Sequence, residues 1–219
     1  MATFVLRVWL QDRPGALGAV ATRVGAVRGD VIGIDIIDRG AGRAIDELVV
    51  ELPDEGLVGL LLSEIGEVEG VDVEHVRPLD SPPGDPSVVA LEVARGVHAA
   101  TCEADRHRAL VDGAVRLLSC DWAALVDPAA GEVLAASGHE VPQPGWLCAF
   151  VLGAAAADGA PDLPELAVAE LPGGAGTLVV SRTHSPLRGR EQQVLQGLAD
   201  LLDDPAPARP DALDRAQPA

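Results

Sequence analysis

The chain has no asparagine, no lysine and no tyrosine, and its only aromatics are Phe4, Trp9, Trp122, Trp146 and Phe150. With almost half of the 219 residues apolar, the cores must therefore be built from Val, Leu, Ile and Ala. Acidic residues outnumber arginines 34 to 16, which leaves a formal net charge of −18. The excess is spread over both halves of the chain, and the arginines form no dense stripe. Such a field repels phosphate backbones and anionic lipid surfaces, so nucleic-acid and membrane partners are excluded from the expectation. Long apolar runs are missing too. The longest, Trp146 to Ala157, is interrupted by Gly153 and falls short of the ~18 residues of a membrane span. A strand pattern opens the sequence, without a basic region and an apolar signal core before it. Cys102, Cys120 and Cys148 are odd in number and far apart, the usage expected of reduced thiols in a cytoplasm.

What is present begins with Leu6-Arg7-Val8-Trp9-Leu10-Gln11-Asp12-Arg13-Pro14-Gly15-Ala16-Leu17. Leu6, Val8 and Leu10 fall on one strand face, Arg7 and Trp9 on the other. Pro14 suits a helix start, and Gly15 lets the backbone pass close to a ligand or a neighbour. Leu17, Val20, Val24 and Val27 continue at helical spacing, and Gly29 is expected to end the helix. Free N–H groups after the turn would suit a carboxylate.

A second strand is expected over Val31 to Asp38, with Ile32, Ile34 and Ile36 facing the core. Arg39-Gly40-Ala41-Gly42-Arg43 suits a hairpin into Ala44–Leu52, where Leu48, Val50 and Leu52 share a face and Asp46-Glu47 alternate across the strand. Pro53-Asp54-Glu55 opens a second helix carrying Leu57, Leu60, Leu61 and Ile65, and Val71, Val73 and Val76 make a last strand. This order predicts a ferredoxin-like βαββαβ unit of the α+β class over residues 1–78.

The Pro- and Gly-rich stretch at 79–86 is expected to be a linker, and a second unit runs over 87–203. Helices are predicted at Val88–Ala100 and Glu103–Ser119, the latter burying Leu110, Ala114, Leu117 and Leu118. Strands follow at Trp122–Val126, Glu132–Ser137, Leu166–Leu171 and Gly176–Thr183, with a helix at 146–157. A terminal helix after Ser185-Pro186-Leu187 would bury Val194, Leu195, Leu198, Leu201 and Leu202. Residues 204–219, rich in Pro and Ala, are expected to be disordered.

Nothing in the chain demands an enzyme. His98, Cys102, Asp105 and His107 could supply metal ligands, but Thr101 is expected to break the helical register between them and no second paired motif completes a tetrahedral site. His75, His139 and His184 fall on separate elements, and Pro172-Gly173-Gly174-Ala175-Gly176 lacks the Lys-Ser or Lys-Thr of a phosphate cradle. Cys148 lies in an apolar run and reads as a structural thiol. No catalytic residue, metal or cofactor is expected.

Residues 4–78 resemble an ACT domain, a regulatory module that binds amino acids. The resemblance is carried by the first strand, Asp12-Arg13-Pro14-Gly15-Ala16-Leu17, the helix, and Gly29-Asp30-Val31-Ile32-Gly33-Ile34 entering the second strand. In that family the ligand lies between two copies, held by the first turn and by the start of the second strand. Carried over by position, this nominates Asp12, Gly15, Ala16, Leu17, Asp30, Val31 and Ile32 as ligand-binding residues. The family often has Asn where this chain has Asp12 and Asp30. Two carboxylates there would favour a ligand ammonium; alternatively, Asp12 caps the helix and Asp30 a turn.

Residues 87–203 resemble a GAF domain, an α/β fold around a central antiparallel sheet. That resemblance rests on the element order and on Leu178-Val179-Val180-Ser181-Arg182 before the last helix. The two resemblances together imply a non-catalytic, cytoplasmic regulatory sensor. It would be a homodimer that binds a free amino acid across its ACT pair and signals allosterically through the second domain. A ligand-free assembly module and a regulatory subunit of a metabolic enzyme stand as alternatives.

Overall fold

The computed structural model describes residues 1–79, 84–156, 163, 165–174, 176–183 and 185–203. Spatially the chain divides into two units. The first is Met1–Asp85 with Thr183–Gln193, and the second is Pro86–Arg182 with the chain from Val194 on.

In the first unit the elements are β1 (Ala2–Gln11), α1 (Ala16–Ala26), β2 (Asp30–Gly40), β3 (Arg43–Leu52), α2 (Val58–Gly66) and β4 (Asp72–Leu79). The strands form an antiparallel sheet in the order β2-β3-β1-β4. This is the ferredoxin-like βαββαβ arrangement. Period-two alternation sorts the sheet into two faces. Phe4, Leu6, Val8 and Leu10 of β1 join Ala44, Leu48, Val50 and Leu52 of β3 in one core with Val20 and Val24 of α1 and Leu61 and Ile65 of α2. The β2–β3 hairpin closes through Ala41 (φ 50°) and Gly42 (φ 77°), the pair of positive φ values that matches a two-residue turn to strand twist.

The opposite face of this sheet carries Arg7 and Trp9. It is covered within the first unit by the segment Thr183–Gln193. Arg7 donates to Pro186 and Glu191, Arg188 stacks on Trp9 at 4.8 Å and pairs with Glu74 at 2.8 Å, and Arg190 pairs with Asp35.

Three expectations for this unit need correction. Ile32, Ile34 and Ile36 are not in the core; they are 42 %, 52 % and 39 % exposed. In register, Ile34 opposes Leu48 and Ile36 opposes Asp46, so both lie on the helix side, but β2 is an edge strand and the described residues leave them partly open to solvent. Ile32 sits at a bulge between Val31 and Gly33, while Val31 packs on the core and Ile37 is buried. The second helix begins with a 3-10 turn, Glu55–Leu57, capped where the Gly56 N–H donates to the Asp54 carboxylate at 2.8 Å. On α2, Leu60 points to solvent.

Gly29 also differs from expectation. Arg28, not Gly29, takes the left-handed conformation after α1 (φ 61°). A Cβ on Gly29 would stand 2.9 Å from both Leu52 Cδ2 and Val24 Cγ1, so glycine is there for room. Gly29→Ala is expected to cost about 1–3 kcal/mol by overpacking. Arg28→Gly should cost nothing or stabilise slightly. Urea denaturation of the two variants checks the contrast.

The second unit comprises α3 (Pro86–Ala99), α4 (Glu103–Leu118), β5 (Trp122–Asp127), β6 (Glu132–Gly138), α5 (Pro144–Ala156), β7 (Leu166–Glu170), β8 (Thr177–Ser181) and the Val194 end of α6 (Gly189–Asp200). Its antiparallel sheet has the order β6-β5-β8-β7. Trp122, Ala124, Val126 and Val179 of that sheet pack under Leu147, Cys148 and Val151 of α5. On α4, Leu110, Ala114 and Leu118 are buried as expected, while Leu117 is only half-buried. On α6, Leu195 and Leu198 are buried and Val194 is half-buried, while Leu201 and Leu202 lie just past its end and are half-buried. None of the three cysteines forms a disulfide. No helix among the described residues is long and apolar enough to cross a membrane. His184, Ala175, Ala157, residues 80–83 of the 79–86 stretch and the 204–219 tail lie outside the described residues.

Candidate functional site

The turn from β1 into α1 is built by its own backbone. Asp12 N–H donates to Gly42 O at 3.0 Å, Arg13 N–H to Gln11 O at 2.8 Å, and Ala16 N–H to Arg13 O at 3.2 Å. Gly15 precedes the helix at φ 88°, a left-handed conformation that a side chain would strain. The first bond along the helix runs from Ala19 N–H to Gly15 O at 3.0 Å. No side chain caps α1, so Asp12 does not act as its cap. The early N–H groups of the helix, at Leu17 and Gly18, are left facing outward as at any uncapped N-terminus. Asp12 and Gly15 are exposed, Leu17 packs partly on the core, and the Ala16 methyl is buried. Ala16 therefore offers no side chain to a ligand, and its N–H is already engaged.

The other nominated group, Asp30, Val31 and Ile32, stands elsewhere. Asp30 opposes Glu51, whose own partner on β1 is Thr3, whereas Gln11 opposes Arg43 at the far end of the same ladder. The two groups are thus separated by about nine strand residues, roughly 30 Å at ~3.3 Å per residue. Within one copy of the chain they are not brought together. Asp30 and Ile32 are exposed, and Val31 is half-buried against the core.

Asp46 was not among the nominated residues, yet it is the unusual side chain at this end of the sheet. Its row on β3 reads Ala44, Asp46, Leu48, Val50, Leu52, and the four apolar members all belong to the core. Asp46 lies between Val8 of β1 and Ile36 of β2 and is only 3 % exposed. Its Oδ1 is buried without a hydrogen-bond partner. Burial raises its carboxyl above the ordinary 3.8; Arg39 pulls it down and Asp12 pushes it up again. The folded chain thus holds this proton more tightly than the unfolded chain. Stability falls as pH rises from 3.8 through the raised folded value, and the cost is complete above it. The sequence signal was available: one acidic residue interrupts an otherwise apolar row of the strand.

On the opposite face Arg7 is 1 % exposed. Its Nη2 donates to Glu47 at 2.9 Å and to Glu191 at 2.8 Å, and its Nη1 to Glu191 at 3.3 Å and to Pro186 O at 3.1 Å. Burial would lower the guanidinium pKa, but the hydrogen bonds and charges of Glu191 and Glu47 more than offset that and leave it raised. This cluster ties β1 to the segment Thr183–Gln193, and the only Arg7 donor it leaves open is the buried Nε.

His98 and His107 lie on different helices, α3 and α4, with Cys102 between them. Among the described residues no group of three or more His, Cys, Asp or Glu is gathered to hold a metal.

No protein-family profile and no curated protein matches this sequence. Solved structures similar to the chain include an uncharacterised protein from Thermotoga maritima, at 24% identity over 36% of this chain and 96% of that one, with a TM-score of 0.29. The ACT domain from the GTP pyrophosphokinase of Chlorobium tepidum matches at 15% identity over 36% of this chain and 100% of its own, with a TM-score of 0.29. A GAF domain from a protein described as a sensor histidine kinase of Pseudomonas syringae pv. tomato matches at 15% identity over 53% of this chain and 81% of its own, with a TM-score of 0.34. Structural neighbours of this α+β chain thus include an ACT domain and a GAF domain.

Proposed function

We propose that this chain is a non-catalytic regulatory sensor of the cytoplasm. Two copies pair through the first unit, a free amino acid binds between them, and binding is signalled through the second unit. The observation that carries this reading is the separation of the two nominated groups. They lie at opposite ends of one sheet, so a single copy does not assemble the site. Because β2 is an edge strand, a two-fold antiparallel pairing of β2 with β2 would bring the Asp30 end of one copy to the Asp12 end of the other. The exposed Ile34 and Ile36 on that edge supply apolar surface for the pairing, which would also remove an unpaired strand edge. The same edge favours a second reading, an assembly module that pairs without any ligand.

A thermal-shift screen of the full chain against the twenty amino acids at millimolar concentration separates the two. A ligand at about 100 times its dissociation constant adds about 2.7 kcal/mol, visible as a clear rise in melting temperature. One selective hit, repeated by calorimetry, supports the sensor. A flat response from an intact dimer turns the reading to the assembly module.

A further inference from the structure

We propose that Asp46 is the side chain that takes the ammonium group of the ligand, an inference that rests on the amino-acid reading above. Asp46 is buried among apolar neighbours, and one carboxylate oxygen has no donor. An orphaned acceptor in that setting destabilises the fold unless something meets it. Among the described residues of the first unit nothing does. The charged groups that bear on it, Arg39 and Asp12, make no hydrogen bond to it.

Its location fits a ligand contact. Asp46 stands in the strand row of Val8, and two residues further along β1 Leu10 leads into the turn before α1. The exposed Ile36 is its neighbour on β2. Asp46 thus lies on the helix side of the sheet, between the uncapped start of α1 and the open edge of β2. The two charges of an α-amino acid are adjacent in the molecule. Its carboxylate would meet the Leu17 and Gly18 N–H groups and its ammonium Asp46 of the same copy, and the Asp30 end of the second copy would close over the rest of the ligand.

Chemistry also favours Asp46 over the carboxylates that sequence position nominates. Asp12 and Asp30 are exposed, where an ion pair competes with water and contributes little. A buried carboxylate gains a charge-assisted bond when a cation enters and is left unpaired when a neutral analogue does. Asp46 therefore selects for a free amine.

The test uses the full chain and its Asp46→Asn variant, with the twenty amino acids as probes. For each hit, the N-acetyl derivative and the matching α-hydroxy acid are added. Asp46→Asn without ligand should melt a few degrees higher, because an orphaned charge has been removed. Its affinity for the hit should fall at least tenfold, and the N-acetyl and hydroxy analogues should bind the wild type at least tenfold more weakly than the hit. If Asp46→Asn binds the hit as the wild type does, Asp46 is not the ammonium contact, and the sensor reading survives. If the N-acetyl derivative binds the wild type as well as the hit does, no buried carboxylate reads the amine; this arm decides even where the variant fails to fold. If no amino acid binds the wild type, both readings fall together.

Discussion

Arg7→Ala should cost the first unit about 3–5 kcal/mol, the usual consequence of removing one partner from a buried ion pair. Arg7 is almost wholly buried, and it holds both oxygens of Glu191 and one of Glu47. Truncation would leave two carboxylates facing each other across the space the guanidinium filled and would remove the Arg7 bond to the Pro186 carbonyl. The half-exposed pair Arg23–Glu64 and the exposed pair Arg116–Glu92 are worth about 0–1 kcal/mol each by comparison. Urea denaturation of the full chain gives the loss directly. A double variant, Arg7→Met with Glu191→Leu, should recover much of it, because apolar replacement of a whole buried pair is often close to neutral. An Arg7→Ala chain within 1 kcal/mol of wild type would mean that the segment Thr183–Gln193 does not hold this face closed.

Arg7 also marks where the sequence stops being readable. Alternation along β1 places it opposite Leu6 and Val8, and a charged residue on that face reads as solvated. Its burial depends on Glu191, 184 positions away, and no local pattern carries such a contact. Ile32, Ile34 and Ile36 were misread for a related reason. Period two says which residues share a face, but not how far the helices extend over it. Val31 was reached by the core while Ile34 and Ile36 were not, because β2 is the edge strand. The βαββαβ order, by contrast, was legible throughout. Turn and cap residues mark several of its junctions, among them the Gly42 hairpin and the Asp54 cap. The turn at Asp12–Leu17 was legible as a unit, but its separation from Asp30 emerges only once strand register is known.

On the proposed pairing, Ile34→Lys should convert a dimer into a monomer. Ile34 sits in the middle of β2, half-exposed on its outer edge, so it would lie close to a two-fold axis between paired strands. A substitution in such an isologous contact acts twice. Burying an ammonium at about 2 kcal/mol per copy then weakens pairing by about 4 kcal/mol, roughly a thousandfold in the dissociation constant. Light scattering at micromolar concentration should report twice the 22.5 kDa chain mass for the wild type and the single chain for the variant. Leu60→Lys, on an exposed position of α2 away from the edge, should leave the dimer intact. The variant should also lose the amino-acid thermal shift, since the Asp12 and Asp30 ends meet only in the pair. A monomeric wild type, or a dimer indifferent to Ile34→Lys, would place any binding site within one copy. The register argues against that arrangement, because about 30 Å of sheet separates the two halves.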